Sequence, residues 1–138
     1  MNQIYVMDCS AVAASLLTES ESKSIDEIFD RAVSGRVTLV VPALFWFEIL
    51  NVLVLAERRR RIKQGEAARL QSLMLALPIQ TDDAPSRTVL HRITRIATDH
   101  GLSAYDAAYV ELAERMGARL KTLDSEILRL ARIYPWIS

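Results

Sequence analysis

The stretch GLSAYDAAYVELAERMGARLKTLD, residues 101–124, contains a helix, a stop, a strand and two acids in succession. Ser103 opens a run of helix-forming residues that reaches Met116, and Gly117 closes it. Arg119–Leu123 then reads as a strand, with Asp124 directly after it. Both acids have an ordinary explanation. Ser103-Ala-Tyr-Asp106 fits a capping box, with a hydroxyl at the N-cap and an acid three residues on. Asp124 suits the N-cap of a further helix over Ser125–Arg132.

The same alternation runs through the whole chain. Ile4–Met7 is a short β-rich run, read as a buried strand, and Ala11–Leu17 a short helix. Ser22 or Ser24 caps a helix through Val33, closed by Gly35. Thr38–Val41 is a second buried strand, after which Pro42 opens a long helix reaching about Arg61. Helices follow over Gly65–Leu77 and Pro85–His100, with a short strand, Pro78–Thr81, between them. Tyr134–Ile137 is a candidate last edge strand, which Pro135 weakens. Alternating strands and helices predict an α/β fold with a mostly parallel sheet of four to five strands and helices on both faces. The length, 138 residues, suits one domain over 1–138.

Composition limits what such a domain can be. Half-apolar content (51%) with 25% charged residues describes a folded chain, not a disordered one. Seventeen basic and 17 acidic residues cancel, so any nucleic acid must be held by a local patch. A single cysteine, Cys9, cannot form an internal disulfide, which fits a cytoplasmic setting. The N-terminus MNQIYVMD lacks the basic start of a secretion signal. The longest apolar run, Ala43–Ala56, is interrupted by Glu48 and Asn51 and is too short to span a bilayer.

In parallel sheets, ligands bind outside the carboxyl ends of the strands. Asp8 follows the first strand and Asp124 the strand Arg119–Leu123. Asp106 starts the helix that leads into that strand, so a right-handed crossover returns it to the same edge. Glu48 lies in the second turn of the helix after Thr38–Val41, in apolar surroundings. A buried carboxylate needs a partner. Asn51, at i+3, is one candidate and an arginine elsewhere is another.

Four carboxylates drawn together either take up protons or attract cations. Hard oxygen donors suit Mg²⁺ or Mn²⁺, and a carboxylate-held ion of this kind activates water against a phosphodiester. Asp8-Cys9-Ser10 rules out the Asp-x-Asp of a haloacid-dehalogenase-type phosphatase. It also lacks the adjacent acids of a phospho-acceptor receiver.

Asp8-Cys9-Ser10, Glu48 with Asn51, Tyr105-Asp106-Ala107-Ala108-Tyr109 and Thr122-Leu123-Asp124 together resemble the four acidic motifs of PIN-domain ribonucleases. The likeness is closest to VapC-type toxins of toxin–antitoxin pairs, and it covers essentially the whole chain. The resemblance implies a metal-dependent endoribonuclease. Asp8, Asp106 and Asp124 match positions that hold the metal, and Glu48 matches an outer acid or the group that positions water. Ser10 and Thr122 match hydroxyls that bind the acids, and Asn51 a supporting amide. It also implies an RNA substrate cut to leave a 5′-phosphate, and a cognate antitoxin that fills the acidic groove. The alternative is a non-catalytic interaction protein whose acidic groove binds a basic peptide.

Four other features have a function to compete for. Arg87, His91 and Arg95 recur every four residues on one helix face, a candidate RNA-binding stripe. Arg58–Arg61 with Lys63 reads either as a solvated helix end or as a phosphate contact. Phe45, Trp46 and Phe47 read as core or as contact in a homodimer. His91 and His100, with one cysteine, do not make a zinc site.

Overall fold

The computed structural model describes residues 2–18 and 23–138. Its elements, in order, are β1 (Gln3–Met7), α1 (Cys9–Leu17), α2 (Lys23–Val33), β2 (Val37–Val41), α3 (Leu44–Arg58) and α4 (Glu66–Ala76). Then come β3 (Ile79–Thr81), α5 (Arg87–His100), α6 (Ala104–Met116), β4 (Arg119–Lys121), α7 (Ser125–Leu128) and a 3₁₀ turn over Arg129–Arg132. The four strands form one parallel sheet in the order β3-β2-β1-β4.

Tyr5, Val6 and Met7 are all buried, as are Leu39, Val40 and Val41. Successive strand side chains point to opposite faces, so three buried in a row mean that both faces are covered. The chain steps from β1 to β2 to β3 in one direction, then jumps back across β1 to place β4. Right-handed crossovers in opposite directions put α5 and α6 on the face opposite α1 and α2. The reversal falls between β1 and β4, where a parallel sheet opens its crevice. Met7 stands opposite Lys121 there, and the next residues of both strands enter that crevice.

The expected boundaries shift where side-chain chemistry intervenes. Arg119–Leu123 was expected to stay in the sheet, but β4 ends at Lys121. Thr122 N–H turns to the Ser138 carbonyl and Leu123 N–H to the Ser10 hydroxyl. The long helix ends at Arg58 and not near Arg61, because Arg60 has φ 58°, outside helical space. Tyr134–Ile137 is not a full strand. Only Ile137 bridges, parallel, to Leu120, while Leu120 N–H bonds to the Trp136 carbonyl at 2.9 Å. Ser24 lies inside α2 and is not its cap, and Ser22 lies outside the described residues. Among the described residues no helix is long and apolar enough to cross a membrane. Of the three aromatics at the start of α3, Phe45 is fully buried, Trp46 is half-buried and Phe47 is 77% exposed.

Candidate active site

Asp8 is the residue around which the site is organised. It ends β1, caps α1 with its backbone, and is only 4% exposed. Its Oδ2 accepts two hydrogen bonds of 2.7 Å, from the Ser10 hydroxyl and from the Thr122 hydroxyl. Each hydroxyl in turn accepts a backbone N–H. Ser10 takes that of Leu123 at 2.9 Å, and Thr122 that of Asp124 at 3.0 Å. With both protons aimed at Asp8, the two hydroxyl oxygens stand 3.3 Å apart. The end of β4 is thereby fastened to the start of α1, and Asp8 Oδ1 is left outside this hydroxyl clamp.

The two explanations offered for Asp106 separate cleanly in the structure. Ser103 is the N-cap of α6, and its hydroxyl accepts the Asp106 N–H at 3.1 Å. The reciprocal half of a capping box is absent: among the described residues no backbone N–H donates to the Asp106 carboxylate, and its local partner is the Ser103 side chain, which opposes the rise in its pKa. Burial, then the charges of Asp124 and Asp8, push Asp106 above the usual carboxylate range. For Asp124 the two explanations combine. Its Oδ1 caps α7, accepting from Glu126 N–H at 2.8 Å and Ile127 N–H at 3.2 Å. The same carboxylate lies close enough to raise both Asp8 and Asp106.

Glu48 is half-buried and reaches this cluster from α3. Burial raises its pKa most, with the charges of Asp8 and Asp106 adding to it and a hydrogen bond from Tyr109 opposing it. The Tyr109 hydroxyl donates to Glu48 Oε1 at 2.7 Å, and the tyrosine is fully buried. Sequence reasoning quoted Tyr109 in a motif but gave it no role. The available signal was a buried tyrosine, which needs a hydroxyl partner, at i+3 from Asp106. Asn51, expected to support Glu48, is exposed, and among the described residues no hydrogen bond joins the two. Asp8 is raised mainly by burial, against the pull of its two hydroxyl donors. Cys9 is buried, and burial followed by the charges of Glu48 and Asp8 pushes its thiol up to about 12, so it is no nucleophile.

Glu111 is a buried acid that does not belong to this cluster. Arg115 holds it through Nε at 2.9 Å while also binding Asp82, and Arg92 approaches at 3.9 Å. Arg87, His91 and Arg95 stand exposed on α5, whereas Arg92 between them pairs with Glu111 and Glu114.

The donors are hard carboxylate oxygens, which suit a hard divalent cation. Among the described residues no three His, Cys, Asp or Glu side chains stand close enough together to hold a metal ion as they are placed. Asp8, Asp106 and Asp124 are the groups that would hold it, with Glu48 beside them.

The chain resembles known proteins over most of its length. The family model described as PIN domain matches residues 5–133. The chain is 34% identical over 126 residues to Ribonuclease VapC3 of Pyrobaculum aerophilum, covering 88% of this chain and 90% of that protein. It is 29% identical over 124 residues to Exonuclease VapC9 of the same organism, covering 90% and 83%. It shares its fold with a toxin–antitoxin complex from Klebsiella pneumoniae. There the TM-score is 0.68 at 14% identity, with 97% of this chain and 95% of that one covered.

Proposed function

The chain belongs to the PIN domain family, and from that premise we propose that it is a metal-dependent endoribonuclease, the toxin of a toxin–antitoxin pair. The observation that carries this reading is the clamp on Asp8. A buried carboxylate fixed by two hydroxyls, with Asp106, Asp124 and Glu48 within its field, is costly unless a cation joins it. Bound at Asp8, Asp106 and Asp124, Mg²⁺ or Mn²⁺ would lower the pKa of an attacking water and offset charge on the leaving oxygen.

The chain's own groups have distinct tasks in that chemistry. Ser10 and Thr122 hold Asp8 Oδ2, so the carboxylate cannot rotate away as phosphate charge approaches. Asp124 is held against α7 by its cap bonds. Glu48, steadied by Tyr109, is the group suited to orient the water and take its proton. Attack of the water oxygen on phosphorus breaks the bond to the 3′ oxygen and leaves a 5′-phosphate.

The relatives named as VapC nucleases support the RNA substrate, and the likeness to a toxin–antitoxin complex agrees with an antitoxin partner in the cytoplasm. A basic side chain of such a partner would neutralise the acids. Exposed Phe47 and Val54 on α3 suit cover by the antitoxin or by the second copy in a homodimer. The deciding experiment incubates purified protein with RNA and either Mg²⁺ or Mn²⁺, then maps 5′ ends. Internal cuts that stop with a chelator are expected. Full activity in excess chelator rejects the metal mechanism, stepwise shortening from an end rejects endonucleolytic cleavage, and metal binding without cleavage favours a non-catalytic groove for a basic peptide.

A further inference from the structure

Residues 58–63 read RRRRIK and hold five of the chain's 17 basic residues. Since the net charge is zero, the remainder of the chain is net negative, and this cluster is its strongest positive feature. Only Arg58 lies in the last turn of α3, where the helix dipole favours a cation. Arg60, Arg61 and Lys63 lie beyond the helix end, where that effect has faded.

The backbone at Arg60 is unusual. Its φ of 58° lies in the left-handed region, and the chain's other described positive-φ residues are Gly35, Gly65, Gly101 and Gly117. Glycine adopts this conformation freely, whereas an arginine there costs stability. Such strain persists where the side chain is useful. The loop around it is also well tied. Arg60 N–H bonds to the Glu57 carbonyl at 2.9 Å and Arg61 N–H to the Ala56 carbonyl at 2.8 Å. Glu57 Oε1 accepts the Ala67 N–H at 3.0 Å, fastening the end of α3 to the start of α4. Arg58, Arg59, Arg60, Arg61 and Lys63 are all exposed, and among the described residues no ion pair holds any of them. Arg58, Arg60, Arg61 and Lys63 line one open depression of about 800 Å³.

The depression borders a second groove on another side of α3, since Arg61 lines both. Glu48, Val52, Leu55 and Arg59 follow one another at i, i+4, i+7 and i+11, a single helix face. Val52, Leu55 and Arg59 line a shallow groove against Leu17 at the end of α1. The rise of 1.5 Å per residue places Arg59 about 16 Å from Glu48 along the axis.

We propose that the arginine loop Arg58–Arg61 is a phosphate-binding site that holds the RNA backbone away from the cleaved bond. This rests on the reading of the chain as a nuclease acting on RNA. Arginine suits the task better than lysine, because its planar fork matches two phosphate oxygens. The α5 stripe is the competing position for the strand, and an acidic segment of a protein partner is the competing occupant.

The test uses the full chain carrying Asp8→Asn, so that RNA survives the measurement. Affinity for labelled oligouridylate is measured over a range of NaCl concentrations, with Arg58→Ala/Arg60→Gly/Arg61→Ala in one variant and Arg87→Ala/Arg95→Ala in another. The triple change is expected to lower the log–log salt slope by about 2, three contacts at about 0.7 each on a single strand. The α5 pair should leave the slope unchanged. Arg60→Gly alone should raise the melting temperature while weakening RNA binding, two effects of opposite benefit. An unchanged slope in the triple variant overturns the proposal, including when that variant instead loses a protein partner. A loss confined to the α5 pair overturns it as well. Failure of the nuclease reading is read separately, as absence of cleavage by the chain with Asp8 intact.

Discussion

Tyr109 and Glu48, 61 residues apart in the chain, meet in a 2.7 Å hydrogen bond that joins α6 to α3 beside the acid cluster. The bond is the one influence that lowers the Glu48 pKa; burial and the neighbouring acids raise it. Tyr109→Phe keeps the ring in its buried place and removes only the donor. We expect it to cost about 1–2 kcal/mol of stability and to move the acid limb of the rate–pH profile upward. Combining it with Glu48→Ala should give less than the sum of the two losses, because both remove the same bond. A wild-type profile for Tyr109→Phe would leave the tyrosine a packing residue only.

Ser103 and Asp106 share one helix start but not one task. Ser103→Ala removes the cap bond to Asp106 N–H and should cost about 1 kcal/mol with little effect on cleavage. Asp106→Asn should do the reverse, holding stability while cleavage falls by orders of magnitude. Thermal melts and single-turnover rates on both variants decide the matter. Normal cleavage by Asp106→Asn would return that residue to the role of a helix-start acid.

Asp124 serves cap and cluster together, and two substitutions divide them. Asparagine is as good an N-cap as aspartate, so Asp124→Asn should keep the fold and lose cleavage. Asp124→Ala should lose cleavage and also about 1 kcal/mol, since the bonds to Glu126 and Ile127 N–H go with it. Equal melting temperatures for the two variants would show that the cap contributes nothing.

Asp8, Glu48 and Asp106 all have pKa values raised by burial. A carboxyl raised on folding binds its proton more tightly in the folded chain. The stability it contributes is complete below its unfolded value, near 4, and is lost as pH rises through the folded value. The metal-free protein should therefore melt higher in mildly acidic buffer than at neutral pH. Asp8→Asn should remove part of that slope, and Mn²⁺ should restore stability on the neutral side. Melting curves in chelator and in Mn²⁺ across this pH range provide the check, and a metal-free protein most stable at neutral pH would contradict it.

Much of this arrangement was legible because each acid is tied to a local signal. Asp8 directly follows β1, Asp124 comes three residues after the end of β4, and Asp106 follows a capping serine, so topology carries them to one edge. Glu48 was recognisable as a carboxylate in apolar company. Its partner was not, because spacing along α3 pointed to Asn51 and the true neighbour comes from another helix. Which helices meet depends on packing across the sheet end, and a one-dimensional period does not encode that. The end of β4 was overestimated for a similar reason. Thr122 and Leu123 look like strand residues, but their backbone groups find better partners in Ser138 and Ser10. The stop of α3 at an arginine, where glycine would be the ordinary signal, has no local cue at all.

The bond between Asp8 and Thr122 closes a separation of 114 residues. Helices such as α2 and α5 form from near neighbours, whereas the β1–β4 pairing waits until Lys121 has been made. During synthesis, at roughly 5–20 residues per second, β1 and Asp8 emerge many seconds before Thr122 and Asp124 exist. A nascent chain therefore has no clamped Asp8 and no complete set of acids. For a nuclease whose own translation depends on intact RNA, this order of assembly is a built-in delay: the four acids cannot meet until the chain has been made as far as Asp124.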